Sequence, residues 1–521
     1  MKSIATRSGA CVALALLVIC LGCGGGSTTS SQQATDPSPQ QPQQQQPTDT
    51  QYLSQSEVQA VVNATAASIN DPLVIAVTDR AGRPLAVFRK TGAPTTAVGN
   101  FSVVVNANEL AIALARTAAF FSNDQAPLSS RTVRYISGIH FPPGIANTSN
   151  APLYGIENTN RGCTLTDNFA PGQSVPPALL TNGATGLGII TGKVDVTDSN
   201  QQAVNPGGVP IYENGELVGG VGVVGSTPDV SEFAALSGAA GTLPAFPAPG
   251  AVIINGITVP FVLQTTIPSG FSPEPNYTGN YFLGPTSSLG PVPNGYLVTP
   301  SAGPIGGLSA ADVNGIVTNA VNTASVTRAV IRLPIGQRTK MVISVADLDG
   351  TLLALYRMPD ATVFSIDVAV AKSRNMTYFN SQQVNPADLP GVPVGTAVTN
   401  RTISFGAQPL YPPGINGTPD GPFFQLFVND VNNPCTQGSQ PAGPSGPKQS
   451  GIVFFPGSLG IYRNGVLIGG LGVSGDGVDQ DDYVTAGGGL GFEAPTNIRA
   501  DQIIDAGVRL PYLKFPRDPT Q

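Results

Sequence analysis

Five blocks of this chain occur twice in the same order, so a fold that suits its first half must also suit its second. LSQSEVQAVV (Leu53–Val62) corresponds to LSAADVNGIV (Leu308–Val317), and VIAVTDRAGRPLAVFR (Val74–Arg89) to VISVADLDGTLLALYR (Val342–Arg357). RTAAFF (Arg116–Phe121) corresponds to RNMTYF (Arg374–Phe379), and FPPGI (Phe141–Ile145) to YPPGI (Tyr411–Ile415). The last pair is IYENGELVGGVGVVG (Ile211–Gly225) and IYRNGVLIGGLGVSG (Ile461–Gly475). The first block of each set opens with Ser and an acid three residues on, a helix-start signal. Val58, Val61, Val62, Thr65 and Ile69 then follow helical spacing. The second and fifth blocks are β-rich runs broken by Asp and Gly or by Asn-Gly, hence hairpins. Each copy reads helix, hairpin, helix, long loop, hairpin, closing helix or turn. The expected class is α+β: two tandem domains, each an antiparallel sheet flanked by helices, with long Pro/Gly-rich loop insertions.

The copies occupy residues 51–240 and 308–500. Residues 241–307 are a Pro/Gly-rich connector with one hairpin of its own around Ile254-Asn255-Gly256-Ile257, and 501–521 read as a C-terminal tail. At the start, Lys2 and Arg7 precede an apolar run, Ala10–Leu21, which is shorter than the about 20 residues that span a bilayer. It ends Leu21-Gly22-Cys23, which resembles a lipobox with Cys20 where Leu is usual. That resemblance implies a cleaved signal peptide over 1–22 and lipid on Cys23; an ordinary secretory signal cut nearby is the other reading. Residues 23–50 lack large apolar side chains and read as a disordered Gln/Pro/Ser-rich stalk. The expectation is a lipid-anchored protein of the cell envelope. Gly24, rather than Asp, after the cysteine points to the outer membrane of a two-membrane cell.

Charged residues make up only 11% of the chain, beside 62 Gly and 48 Pro, which favours strands, turns and irregular loops over helical bundles. The net charge is -7, and loss of Lys2 and Arg7 with the leader takes it to -9. An acidic chain with no basic stripe is not a nucleic-acid binder. Of five cysteines, Cys11 and Cys20 belong to the leader and Cys23 to the anchor, leaving Cys163 and Cys435. These follow the matching Pro-Pro-Gly blocks at similar distances, and each precedes Thr. A disulfide joining the copies is one reading; separate buried thiols or a redox pair are the others.

The residues shared by the hairpins are Ala76-Val77-x-Asp79-x-x-Gly82-x-x-Leu85-Ala86 and Ser344-Val345-x-Asp347-x-x-Gly350-x-x-Leu353-Ala354. With the Arg-bearing helix, Gly207-Gly208-Val209-Pro210-Ile211 and the Gly-x-Gly-Val strand, they resemble the GlcG/HbpS-like haem-binding (haem-degrading) family. Gly475-Asp476-Gly477-Val478-Asp479-Gln480-Asp481 resembles that family's closing Gly…Gln-Asp motif. The resemblance implies a five-stranded antiparallel sheet in each copy, an internal pseudo-dimer of the two, and haem or a related tetrapyrrole as ligand. Four departures bear on the ligand rather than the fold. The first helix of each copy has no His, and the family's middle-helix Lys is present as Lys372 but replaced by Leu114 in copy one. Copy one has Pro228-Asp229-Val230 for the closing motif, and loops 123–206 and 381–456 exceed the family pattern.

His140, the only histidine, is a candidate axial haem ligand; a loop-packing role is the alternative, since copy two has Leu410 there. A single histidine excludes a three-His zinc site, and no catalytic set is visible. Arg89, Arg116, Arg357 and Arg374, joined by Lys372, are candidates to hold a carboxylate or haem propionate. Their alternative is structural pairing with Asp79, Asp347, Glu109 or Asp367. Asp476, Asp479, Asp481 and Asp482 suit either a hard cation or a helix start. Gly207-Gly208 and the Gly219–Gly225 run lie between strands, which favours tight sheet packing over a phosphate loop. The leading expectation is a small-ligand-binding lipoprotein for uptake, storage or sensing, its small-residue strands leaving room for a flat ligand. A non-catalytic envelope interaction or assembly protein with a vestigial cofactor pocket is the alternative. An oxidative haem-degrading enzyme is a third possibility without visible catalytic residues.

Overall fold

The computed structural model describes residues 49–99, 104–156, 159–160, 206–244, 250, 252–330, 336–433, 435–438 and 448–520. The signal-peptide reading, Cys23, Cys163 and all of the stalk but its last two residues lie outside them.

Copy one begins with α1 (Gln55–Ala67), capped by a reciprocal Ser54–Glu57 box, and buries Val58, Val61, Val62 and Thr65 as the spacing predicts. The hairpin β1 (Val74–Asp79) and β2 (Pro84–Lys90) follows. A small flap, β3 (Thr96–Val98) and β4 (Val104–Asn106), leads into the middle helix α2 (Ala107–Phe121) and the short α3 (Ser130–Tyr135). The hairpin β5 (Gly208–Glu213) and β6 (Glu216–Val224) and helix α4 (Pro228–Ala239) complete the copy. The connector holds β7 (Ile253–Ile254), β8 (Ile257–Thr258), β9 (Gly279–Leu283) and β10 (Gly295–Val298). Copy two repeats the plan without the flap: α5 (Ala310–Val326), β11 (Val342–Ala346), β12 (Leu352–Arg357), α6 (Phe364–Phe379), α7 (Asn400–Gly406), α8 (Phe424–Asn432), β13 (Ser458–Arg463), β14 (Val466–Ser474) and α9 (Val478–Gly488). A last hairpin is β15 (Ile504–Asp505) with β16 (Val508–Arg509). Asn214-Gly215 and Asn464-Gly465 all have positive φ, as the tight hairpin turns read from sequence require.

The two sheets are antiparallel and five-stranded, ordered β5-β6-β1-β2-β9 and β10-β12-β11-β14-β13. The connector therefore does more than link: it lays an edge strand on each sheet, β9 beside β2 and β10 beside β12. Its β7–β8 hairpin lies where sequence expects one. The tail differs from its expectation, because β15–β16 is the second copy's counterpart of β7–β8. The carbonyls of Pro260 and Phe261 accept from Thr132 and Ser129, and those of Pro511 and Tyr512 accept from Thr402 and Thr399. The two hairpins align without a gap, but Ala506-Gly507 stands where copy one has Asn255-Gly256 and Asp505 where it has Ile254, so the Asn-Gly signal that would mark a sixth block is missing.

Helices cover both sheet faces, so β1 and β11 are buried along their whole length. The glycines of β6 and β14 let the middle helices lie directly on the strands. A Cβ at Gly222 would sit 2.0 Å from the Ala111 carbonyl oxygen, and one at Gly472 would sit 2.2 Å from that of Ala369. The space once read as room for a flat ligand is thus occupied by α2 and α6. Gly222→Ala must push α2 off the sheet, and backbone cannot rotate away as a side chain can. The expected loss is about 3 kcal/mol, at or beyond the upper end for overpacking, read as a lowered urea midpoint. A loss under about 1 kcal/mol would show that the helix shifts freely.

The copies share a core as well as a chain. Phe121, Leu128, Val133, Ile136, Leu153 and Ile156 of copy one join the apolar cluster built on the second sheet. Phe121 stacks on Phe364 with centroids 4.3 Å apart. The two Pro-Pro-Gly loops, each with a cis peptide before its first proline, clasp one another. Asn147 N donates to Asn416 Oδ1 at 2.6 Å and Asn416 N to Asn147 Oδ1 at 2.9 Å. This reciprocal contact is the internal pseudo-dimer expected of the repeat.

Candidate functional site

The four matched arginines brace the turns of their own copies. Arg89 Nη2 donates to the carbonyls of Ala93 (2.8 Å) and Pro94 (2.9 Å), and its Nη1 to Asn108 Oδ1 (2.8 Å). Arg357 makes the equivalent contact, Nε and Nη2 donating to Ala361 O at 2.9 and 2.7 Å. Arg116 Nε donates to Gly82 O (2.7 Å) and Arg374 Nε to Gly350 O (2.9 Å), the same turn glycine in each hairpin. Burial pulls the Arg116 guanidinium down to about 10, against the pull of Asp79. Arg374 Nη1 also donates to Ser450 Oγ at 2.6 Å.

The middle helices differ where it matters electrostatically. In copy two, fully buried Lys372 donates from Nζ to Asp481 Oδ2 (3.0 Å) and to Val473 O (2.6 Å), 5.0 Å from the centre of the Phe455 ring. In copy one Leu114 stands for the lysine and Ser231 for the aspartate, so both charges are absent together. That is the expected pattern, because one member left alone would be an unpaired buried charge. Beside Ser231, copy one has a 310 Å³ cavity walled by Thr96, Val98, Pro206 and Val223, part of it supplied by the flap that copy two lacks. The acidic run before and within α9 acts as a set of anchors. Asp479 and Asp482 hold Arg401, Asp476 accepts from Val330 N, and Asp482 also accepts from Gly457 N. Arg131 and Glu232 are the counterpart pair in copy one, at 2.6 Å. Asp479 and Asp481 lie in the first turn of α9, where the helix-start reading places them.

A second constellation escaped the repeat logic because, Arg357 apart, its members have no like counterparts. Arg80 donates from Nη1 to Asp49 Oδ1 (2.6 Å) and from Nη2 to Asp360 Oδ1 (2.7 Å), with Asp124 at 3.8 Å. Arg357 Nη1 holds the other oxygen of Asp49 at 2.9 Å. Asp124 N donates to Asp360 Oδ1 at 3.0 Å. Five charged groups from both copies and the preceding segment so meet in a buried junction. Asp49 was expected in the disordered stalk; it is 3% exposed, and Thr50 is tied to Glu216, so the stalk ends before them. Asp360 has φ +58 where copy one has Gly92, so a side chain is kept in a backbone region that favours glycine. Burial, together with Asp360, pushes Asp124 up to about 7, and burial also raises Asp360. Burial opposes ionisation of Asp49 too, but Arg357 and Arg80 hold it below its ordinary value. Asp49, Asp124 and Asp360 are close enough to gather a metal ion, yet Arg80 already lies between them.

His140 and Asp367 also face the seam between the copies. His140 is buried, its Nε2 3.0 Å from Asn416 Oδ1 of the clasping loop. Asn160 N of copy one donates to Asp367 Oδ2 of copy two at 2.7 Å, and burial raises Asp367 to about 6. Cys435 is buried and disulfide-bonded; Cys163 lies outside the described residues. Arg357 therefore joins the junction, His140 the loop clasp and Lys372 the α6–α9 contact, while Arg89, Arg116 and Arg374 brace separate turns. They do not converge on one cleft.

The model of the family described as "Haem degrading protein HbpS-like" matches residues 54–240 and again 309–488. The chain belongs to the HbpS-like family. Its copies are two tandem members of that family, related to one another by the blocks described above. Corrinoid adenosyltransferase PduO of Salmonella typhimurium is 27% identical over 155 residues, which are 30% of this chain and 33% of that protein. The PduO of Citrobacter freundii is 26% identical over the same length and shares. The chain thus spans about a third of the length of the curated relatives it matches. A crystal structure of a PduOC–haem complex shares 21% identity, with a TM-score of 0.24, over 36% of this chain and 97% of that one. A double mutant of Streptomyces reticuli HbpS shares 18% identity, with a TM-score of 0.19, over 40% and 97%. As an HbpS-like haem site, however, the six side chains singled out for haem do not frame a slot in this conformation. None of them lines the 460, 450 or 310 Å³ cavities of copy one.

Proposed function

We propose that this protein is an exported, lipid-anchored binder of haem or a related tetrapyrrole, held to the envelope through Cys23. The observation that carries the reading is membership of the HbpS-like family in both copies, over 54–240 and 309–488. The relatives' names support a tetrapyrrole, since one acts on corrinoids and another was crystallised with haem. The leader and stalk composition support export and anchoring. Uptake, storage or sensing are the roles such a tethered binder can serve. The tetrapyrrole would sit on the exterior rather than within the sheet, because α2 and α6 fill that space. A second reading, a non-catalytic interaction or assembly protein, is favoured by the engagement of Arg89, Arg116, Arg374 and His140 in internal hydrogen bonds.

A haemin titration of residues 49–521, followed by absorption, separates the two. Tetrapyrrole binding predicts a saturable Soret band with one haem per copy or per chain. His140→Ala should keep that band, since the Nε2 atom is already held at Asn416. No specific band at micromolar haemin would transfer the assignment to the interaction reading.

A further inference from the structure

Between α1, α4 and the β5–β6 turn, copy one has an open cleft of 450 Å³ whose walls include Glu57, Ala64, Glu213, Asn214 and Thr242. Two of its carboxylates face each other without a cation. Burial, then Glu57 and Glu216, raise the Glu213 carboxyl above its usual value; it shares a hydrogen bond with Glu57, and no described cationic side chain bonds to it. Glu57 is held in place by its capping box, Oε2 accepting from Ser54 N (2.7 Å) and Ser54 Oγ (2.6 Å).

Copy two places a cation at the equivalent position, in a partly exposed pair. Arg463 stands where copy one has Glu213, and Asp312 stands where it has Glu57. Arg463 Nη2 donates to Asp312 Oδ2 at 2.9 Å and Nη1 to Gly307 O at 3.1 Å. Its guanidinium lies 5.8 Å from the centre of the Phe492 ring. Phe492 in turn stands where copy one has Thr242: Tyr462 N donates to Phe492 O (2.9 Å) and Tyr212 N to Thr242 Oγ1 (3.4 Å). Copy one has therefore lost the guanidinium and the ring, kept the capping-box carboxylate, and gained a second carboxylate in place of the cation. A carboxyl pair on adjoining elements must hold a shared proton or repel until a positive group lies between them, and a bound cation would displace that proton.

We propose that this cleft binds a small organic cation that joins a guanidinium, amidinium or ammonium head to a flat apolar body. The head replaces the Arg463 guanidinium, against Glu57 and Glu213; the body takes the place beside it that the Phe492 ring has in copy two. The site is distinct from the tetrapyrrole reading, whose ligand carries carboxylates that Glu57 and Glu213 would repel.

Benzamidine carries both parts and serves as the probe, titrated into residues 49–521 by calorimetry at low salt. The expected result is saturable binding with one site per chain, about five-fold weaker in Glu213→Gln and weakened further by added salt. The double variant E213R/T242F rebuilds the copy-two arrangement and should abolish binding while raising the thermal midpoint, which also shows that it folds. Acetyl-Phe-Arg-amide, run alongside, separates sources of the same chemistry. Tighter binding than benzamidine points to a side chain of a protein partner, and weaker binding to a free small molecule. Absence of saturation in the unmodified chain, or unchanged binding in E213R/T242F, would overturn the proposal.

Discussion

Lys372→Leu will destabilise the protein by about 3–5 kcal/mol, because Asp481 would remain fully buried without its cation. The companion result is the more telling one. Lys372→Leu with Asp481→Ser reproduces the pair found in copy one, Leu114 and Ser231, and should recover most of the loss. Denaturant unfolding of the two single variants and the double variant forms a complete cycle. A coupling of about 1 kcal/mol or less would mean that water reaches Asp481 once the lysine is gone, and would remove the electrostatic account of why both charges are missing from copy one.

Arg80→Met is expected to have a comparable effect at the junction, about 3–5 kcal/mol at pH 8, since Asp49, Asp124 and Asp360 would then share only Arg357. The loss should shrink at pH 5, where protons can replace the missing guanidinium. The native chain should also respond to pH here. Asp124 has an ordinary value of 3.8 and a folded value of about 7, so the folded state keeps a proton that the unfolded chain releases. Its contribution is full below 3.8 and is lost as pH rises through 7. Asp124→Asn retains an oxygen for the Leu217 amide and should flatten the decline of stability over that window. Urea midpoints across pH 5 to 8 check both; an Arg80→Met loss that does not change with pH would show that the junction acids do not take up the protons.

Much of the fold was legible because repetition supplies its own control. A hairpin read twice, at Val74–Arg89 and Val342–Arg357, is harder to mistake than one read once, and the Asn-Gly turns fixed both later hairpins. Legibility failed where that control was missing. The β15–β16 hairpin has no such signal, because Ala506-Gly507 replaces the Asn255-Gly256 turn and Asp505 and Arg509 replace Ile254 and Thr258. Arg80, Asp124 and Asp360 have no repeat partners, and Asp49 sits at the end of a low-complexity stretch, so nothing in the sequence grouped them. The arginines were visible as a matched set, but the carbonyls of Gly82, Ala93, Gly350 and Ala361 that they bind carry no side-chain signal.

The chain itself therefore determined the elements, their doubling and the family, since these depend on local periodicity, turn chemistry and order along the sequence. Only the tertiary structure decided that the connector closes both sheets, that the glycine strands admit helices rather than a ligand, and which charges meet across the seam. Those outcomes depend on distances between residues far apart in sequence, where burial turns a charge that would be unremarkable in water into one that must find a partner.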